Sequence, residues 1–174
     1  MSSAFVDNER VIPMDWEIVN LDMTFKVKAD IETVFKAWTE PKLFKQWFMT
    51  MPQTNKVAAN TLEVNGDWEI VDVRDGVEYR AIGTYIDIVE PYKLIFSFKM
   101  PQFSELEDII TVEFIDLQDE TEVKFNHGIK VQTNDTQSEQ EIEKAKSDAK
   151  SQIEAGYEMM FKGLRHLCET QSNA

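Results

Sequence analysis

The sequence predicts an α+β fold, a curved antiparallel β-sheet whose apolar face is covered by one long C-terminal helix. Three observations lead there. The middle of the chain is a succession of β-rich runs of alternating polarity, joined by short turn signals. The last part changes to an apolar period of three and four residues. A short aromatic-rich helical stretch, "DIETVFKAWTEPKLFKQWF", stands between a first strand and that succession. Strands grouped together with helices set apart indicate α+β rather than alternating α/β.

Each element has its own justification. From Trp16, "EIVNLDMTFKVKA" alternates through Ile18, Leu21, Met23, Phe25 and Val27, with a slip near Asn20 that would mark a bulge. Asp30 is a good helix N-cap. Ile31, Val34, Phe35 and Trp38 then share one helical face. Pro41 disfavours helical geometry at Glu40, so the helix stops near Thr39, and Pro41 opens a second short helix. Leu43, Phe44, Trp47 and Phe48 form that helix's apolar stripe. The weakly patterned segment from Thr50 to Asn60 reads as loop.

Asp75-Gly76 is a hairpin signal between two β-rich runs, and Pro91 ends the second. Three further strands each put an apolar row on one face. These rows are Leu94, Phe96, Phe98 and Met100, then Ile110, Val112 and Phe114, then Val123, Phe125, His127 and Ile129. Clean alternation indicates an antiparallel sheet with one wet face. After the polar "NDTQSEQ", capped by Ser138 or Thr136, comes a helix of about seven turns at 3.6 residues per turn. Its stripe is Ile142, Ala145, Ala149, Ile153, Tyr157, Met160, Leu164 and Leu167 or Cys168. Gly156 and Gly163 lie inside it, for which close packing against the sheet would be a reason.

Composition narrows the function classes. The 174 residues fit one domain, read as a loosely tied extension over residues 1–15 and a single domain over 16–170. A net charge of -14 opposes binding to nucleic acid, whose affinity rests on phosphate neutralisation, and to anionic membranes. No apolar run reaches the ~20 residues of a membrane span, and the N-terminus lacks a secretory pattern. With Cys168 as the one cysteine, an intrachain disulfide is impossible, and a cytoplasmic location is expected. A monomer or weak dimer is expected.

Several motifs together carry a resemblance. Val34-Phe35-x-Ala37-Trp38-Thr39, then Pro41 and Trp47, is similar to the opening motif of the bacterial family related to the C-terminal domain of the Hsp90 ATPase activator Aha1. "GTYIDIVEPYKLIFSF", "VKFNHGI" and "AGYEMMFKGLRHL" resemble that family's later strands and terminal helix, so the resemblance spans about Leu21 to Cys168. Tyr157 stands where the family commonly has tryptophan. The resemblance implies a START-like, Bet v 1-like helix-grip fold. It also implies a cavity between sheet and C-terminal helix that takes lipids, hormones, polyketides or other apolar molecules.

The pocket candidates on this reading are Trp47, Phe48, Trp68, Tyr79, Phe96, Phe98, Phe114, His127, Tyr157 and Met160. Tyr and Trp carry a polar atom on an apolar body, which suits both ligand orientation and core packing. His127 sits in an inward apolar row. It is either a polar anchor or general base in a pocket, or a histidine satisfied by a strand carbonyl or a helix hydroxyl. No catalytic constellation, phosphate loop or dinucleotide fingerprint is present, no cofactor is implied, and no metal-ligand spacing links His127, His166 and Cys168. The strand carboxylates Glu69, Glu78, Glu113 and Glu122 fall on wet faces. Three readings follow: a non-enzymatic binder of a small apolar ligand, an enzyme of cyclase or hydrolase type in the same cavity, and a protein-interaction module related to chaperones.

Overall fold

The computed structural model describes residues 2–7 and 10–172, with side chains described for 15–170. The chain runs β1 (Ser2–Asp7), β2 (Arg10–Val27), α1 (Ile31–Thr39), α2 (Pro41–Phe44), β3 (Asn55–Asn60), β4 (Asp67–Arg74), β5 (Val77–Val89), β6 (Lys93–Phe98), β7 (Asp108–Asp116), β8 (Thr121–Thr133) and α3 (Glu139–Ser172). The described strands form one eight-stranded sheet in the order β1-β2-β8-β7-β6-β5-β4-β3, every pair antiparallel. The helix pair and α3 cover its concave face. This is the predicted α+β helix-grip arrangement, with the two short helices following the strand at Arg10–Val27.

Local chemistry places the element ends. The Asp30 carboxylate accepts from the Thr33 N–H at 2.8 Å and starts α1. Hydrogen bonding from Thr33 holds that carboxyl below its usual range. Glu40 is extended, as a residue before proline must be, and Pro41 opens α2. The Trp47 indole N–H donates to the Ala37 carbonyl at 2.9 Å, fixing the bend between the two helices. Asp75 and Gly76 have φ of 52° and 78°, the pair of positive angles that a two-residue hairpin turn requires. At the other end, Ser138 and Glu141 cap α3 reciprocally, with the Glu141 N–H donating to Ser138 Oγ at 3.1 Å.

Four expectations are corrected. Residues 55–60 are strand β3 rather than loop, paired with β4 through Ala58↔Ile70 and Asn60↔Trp68. Asn60 anchors its end by donating to the Thr39 carbonyl at 2.6 Å and to Tyr85 Oη at 2.9 Å. No bulge interrupts β2, whose register with β8 is continuous from Asp15↔Thr133 to Val27↔Thr121. The inward row is Val19, Leu21, Met23, Phe25 and Val27, and Ile18 faces outward. Helix α3 spans 34 residues, longer than seven turns, and its buried face includes Phe161. Its glycines do not pack on the sheet. A Cβ on Gly163 would meet Trp47 Cβ at 3.5 Å, and one on Gly156 would meet the flexible end of Met160 at 3.8 Å. The extension expected over 1–15 lies partly outside the described residues, and within them Ser2–Asp7 pairs with Arg10–Asp15.

The sheet curves at β5, which pairs with β4 through its first half and with β6 through its second. The register shifts between Tyr85 and Asp87. Trp68 lies opposite Gly83, and its indole crosses the glycine to donate to the Ser97 carbonyl at 3.2 Å. A Cβ at Gly83 would sit 1.8 Å from that carbonyl oxygen and 2.4 Å from the indole nitrogen. The strand glycine is thus a close-approach site.

Two alanine substitutions are therefore expected to act in opposite directions. Gly83→Ala should lower stability by about 3 kcal/mol or more through overpacking against backbone. Gly156→Ala should raise it by about 0.5–1 kcal/mol, because the helix interior there is open. Urea unfolding midpoints of the two variants check both signs.

Candidate functional site

The centre of the grip is filled by the chain itself. Trp38 on α1 is 1% exposed and is surrounded by the rings of Trp47, Phe48, Phe114, Phe125 and Phe161, with centroids 4.6–6.5 Å away. Phe48 is fully buried and packs on Phe44, Trp68, Phe96 and Phe98. Of the sequence-derived candidates, Phe48, Trp68, Phe96, Phe98 and Phe114 thus lie in one aromatic core.

His127 and Tyr157 form a separate polar feature. His127 Nδ1 lies 2.9 Å from Tyr157 Oη, and Nε2 lies 2.8 Å from Asp108 Oδ2. The other Asp108 oxygen accepts from the Lys130 N–H at 3.0 Å. An ionised carboxylate only accepts, so with a neutral imidazole the Nε2–H donates to Asp108 and Nδ1 accepts the tyrosine proton. Burial, followed by the nearby Asp108 charge, holds the Tyr157 hydroxyl well above the usual tyrosine range, which keeps it protonated and donating. Both rings are sealed, at 1% and 0% exposure. The triad therefore fastens α3 to β8 and to the start of β7 through saturated hydrogen bonds. Asp108 was not singled out in the sequence. Its signal is positional, since it stands two residues before Ile110, the direct partner of His127.

Open space lies at the mouth of the grip. A pocket of about 410 Å³ is enclosed by the turn after α2, the β4–β5 hairpin, Met100 and the middle of α3. Five of the chain's eight methionines line it: Met49, Met51, Met100, Met159 and Met160. Three sequence candidates, Trp47, Tyr79 and Met160, meet there. The Met160 thioether accepts from the Met49 N–H at 3.4 Å, joining α3 to the turn after α2. The polar residues were not anticipated. Asp72 is 2% exposed and accepts from the hydroxyls of Thr50, at 2.8 Å, and Thr54. Arg74 Nε lies 2.8 Å from Asp72 Oδ2, and its guanidinium lies over the Tyr79 ring, 4.2 Å from the centroid. The signal for Asp72 is parity, because it shares the inward row of β4 with Trp68 and Ile70.

A larger groove of about 470 Å³ lies on the other face of β3–β5, beside the Arg80–Glu69 ion pair. It is open and charged, and of the inward row of β4 it touches Trp68 alone. Among the described residues, no group of three or more His, Cys, Asp or Glu side chains is placed to hold a metal. None of the described helices is long and apolar enough to cross a membrane.

The comparisons agree with this architecture. The family model described as "Activator of Hsp90 ATPase homolog 1-like protein" matches residues 28–169. A Staphylococcus aureus protein of unknown function is similar at 29% identity, with a TM-score of 0.84 over 92% of this chain and 99% of that one. An uncharacterised protein from Rhizobium leguminosarum has a TM-score of 0.70 at 21% identity, over 90% of this chain and 98% of its own. A Staphylococcus epidermidis protein has a TM-score of 0.64 at 19% identity, over 87% and 90%. The last two likenesses concern the fold alone. No curated protein matches the chain.

Two predictions test the buried groups. Tyr157→Phe leaves His127 Nδ1 without its donor and should cost about 1–3 kcal/mol, read from denaturant unfolding. Raising the pH should destabilise the protein. Burial pushes the Cys168 thiol from 9.0 up to about 12, and the Tyr157 hydroxyl rises from 10.0. Both groups then bind protons more tightly folded than unfolded. Stability from them is complete below the unfolded values and is lost as pH rises from about 9 toward 12. Urea midpoints measured from neutral to alkaline pH should fall in that window, and Cys168→Ala should soften its lower part.

Proposed function

The chain belongs to the Activator of Hsp90 ATPase homolog 1-like family, and from that premise we propose that it binds a small, mostly apolar molecule without transforming it. The binding place is the pocket at the mouth between sheet and α3, not the centre of the grip, which the aromatic core occupies. One observation carries this reading. An accessible space of about 410 Å³ has an apolar wall supplied mainly by methionines and a few convergent polar groups at one end. That is the usual composition of a ligand pocket. Methionine is flexible and polarizable, so such a wall adapts to the shape of its occupant. The sealed rings of Tyr157 and His127 speak for binding over catalysis, since a reacting group must reach both histidine and solvent-borne substrate. The single-domain reading of residues 16–170 and a cytoplasmic site of action are part of the same proposal.

The neutral dye N-phenyl-1-naphthylamine serves as the probe. Its fluorescence should rise on binding and its emission shift to shorter wavelength. Met159 lines the pocket yet is 76% exposed, so Met159→Glu should leave stability within about 0.5 kcal/mol. The same change places a charge in the apolar wall and should weaken the dye several-fold. Unchanged dye binding in this variant would remove the pocket from consideration. A non-denaturing mass spectrum of the protein purified from its own source would supply the natural occupant's mass.

A further inference from the structure

The pocket has one charged end, and its wiring restricts what kind of molecule fits. Asp72 and Arg74 are two residues apart on β4 and so point to the same side of the sheet. Tyr79 is the direct cross-strand partner of Asp72, which places its ring diagonally beneath Arg74. The Asp72 carboxylate is committed inward. One oxygen takes the Thr50 and Thr54 hydroxyls, and the other faces Arg74 Nε. At 2% exposure it offers nothing to a ligand cation. The Arg74 side chain is 56% exposed. Nε faces Asp72 and the plane rests on Tyr79, while neither Nη group has a protein partner among the described residues. Among the described residues, no other lysine or arginine lines the pocket.

We propose that this pocket takes an amphiphile with a single carboxylate head, the head received by the two Nη groups of Arg74 and the alkyl body lying along Met49, Met100, Met159 and Met160. The inference rests on the pocket being a ligand site. A guanidinium held in one plane is pre-organised for two parallel N–H···O bonds to a carboxylate. Asp72 and Tyr79 supply that restraint here, so the ligand need not meet the entropic cost of ordering the arginine. The -14 net charge of the chain does not forbid the complex. Charges beyond about 8 Å are largely screened at physiological salt, whereas the bidentate contact lies well inside that distance. A cationic head meets Arg74 directly and is repelled. A neutral head leaves the Nη donors to water and gains only the apolar contact.

The test compares decanoate, decanol and decylamine, each below its micelle concentration or solubility limit, by calorimetric titration of the full chain at neutral pH. Decanoate is expected to bind about ten-fold or more tighter than decanol, as charge-assisted bonds allow. Decylamine should bind weakest. Arg74→Gln should bring decanoate down to the affinity of decanol and leave decanol within about two-fold, since the apolar contact is untouched. Because that variant uncovers the buried Asp72, Arg74→Lys provides a second test. It keeps the charge beside Asp72 but lacks the planar fork, so the preference for decanoate should shrink while the unfolding midpoint holds. Equal affinity for decanoate and decanol in the unaltered protein overturns the head-group inference while the pocket reading stands. Tighter binding of decylamine, or a decanoate preference that survives Arg74→Gln, overturns it likewise. If no probe binds, the pocket reading falls and takes this one with it.

Discussion

The structure depends on how Trp38 is packed. This residue of α1 meets rings from the turn after α2, from β7, from β8 and from α3, so each layer of the grip touches the same indole. Aromatic side chains bury about 150–250 Å² each and dominate core energetics. A cluster of this kind fills the space that the curvature of the sheet would otherwise leave open beneath α3. It also isolates the Trp38 indole N–H, which has no hydrogen-bond partner among the described residues. The rings of Trp47 and Phe114 cross the Trp38 ring at 71° and 74°. With the centre full, the methionine-lined pocket lies where the aromatic packing ends, at the mouth between Trp47 and the β4–β5 hairpin.

Buried polar groups then set the directions of the elements that the aromatic core holds together. Trp47 ties the turn after α2 to α1, Trp68 ties β4 across Gly83 to β6, and Tyr157 ties α3 to β8. Each of these uses a polar atom on a mainly apolar body, so little charge is taken out of water. Asp72 is the exception, a carboxylate buried at 2% exposure. It is tolerated because two hydroxyls and a guanidinium surround it. The contrast with His127 is physical. The histidine network keeps both of its rings inside the core and ends at the part-buried carboxylate of Asp108, whereas the Asp72 network ends in an arginine that is more than half exposed at the pocket.

Much of the fold was legible because the relevant signals are local. Asp30, Pro41 and Asp75-Gly76 act through backbone geometry within three or four residues, and the inward rows from Leu94 to Ile129 follow from strand parity alone. Strand β3 was not legible. "NKVAAN" has little β character of its own and is held by Ile70, Trp68 and the Asn60 side chain, all contributed by tertiary pairing. Ile18 misled for a related reason, since an isoleucine on the outer face breaks the apparent alternation although the register does not shift. The Tyr157–His127–Asp108 contact joins residues 19 and 30 positions apart and leaves no periodic trace. At the pocket, Trp47, Tyr79 and Met160 were visible as aromatic or apolar residues near the expected rim. Asp72 and Arg74 were hidden among many surface charges, because reading strand carboxylates as a wet face ignores the parity that puts Asp72 beside Trp68 and Ile70.

The glycines of α3 bring these threads together. Each costs about 1 kcal/mol relative to alanine in a helix interior, so a persistent one needs a local reason. Gly163 has one. It faces Trp47, whose indole belongs both to the ring cluster around Trp38 and to the pocket wall, and it lines the pocket itself. A larger side chain there would project from the helix into the narrow part of the mouth and exchange open volume for packing. Gly156, one turn before Met160, has no such neighbour. The same helix thus seals the centre with Tyr157, Phe161 and Leu164 and opens the mouth at Gly163, within two turns. A ligand at the mouth would touch α3, the turn after α2 and the β4–β5 hairpin together, the three elements that converge beside the aromatic core. Binding there would add to the contacts that the Met49–Met160 bond and the Thr50 and Thr54 hydroxyls on Asp72 already make among these elements.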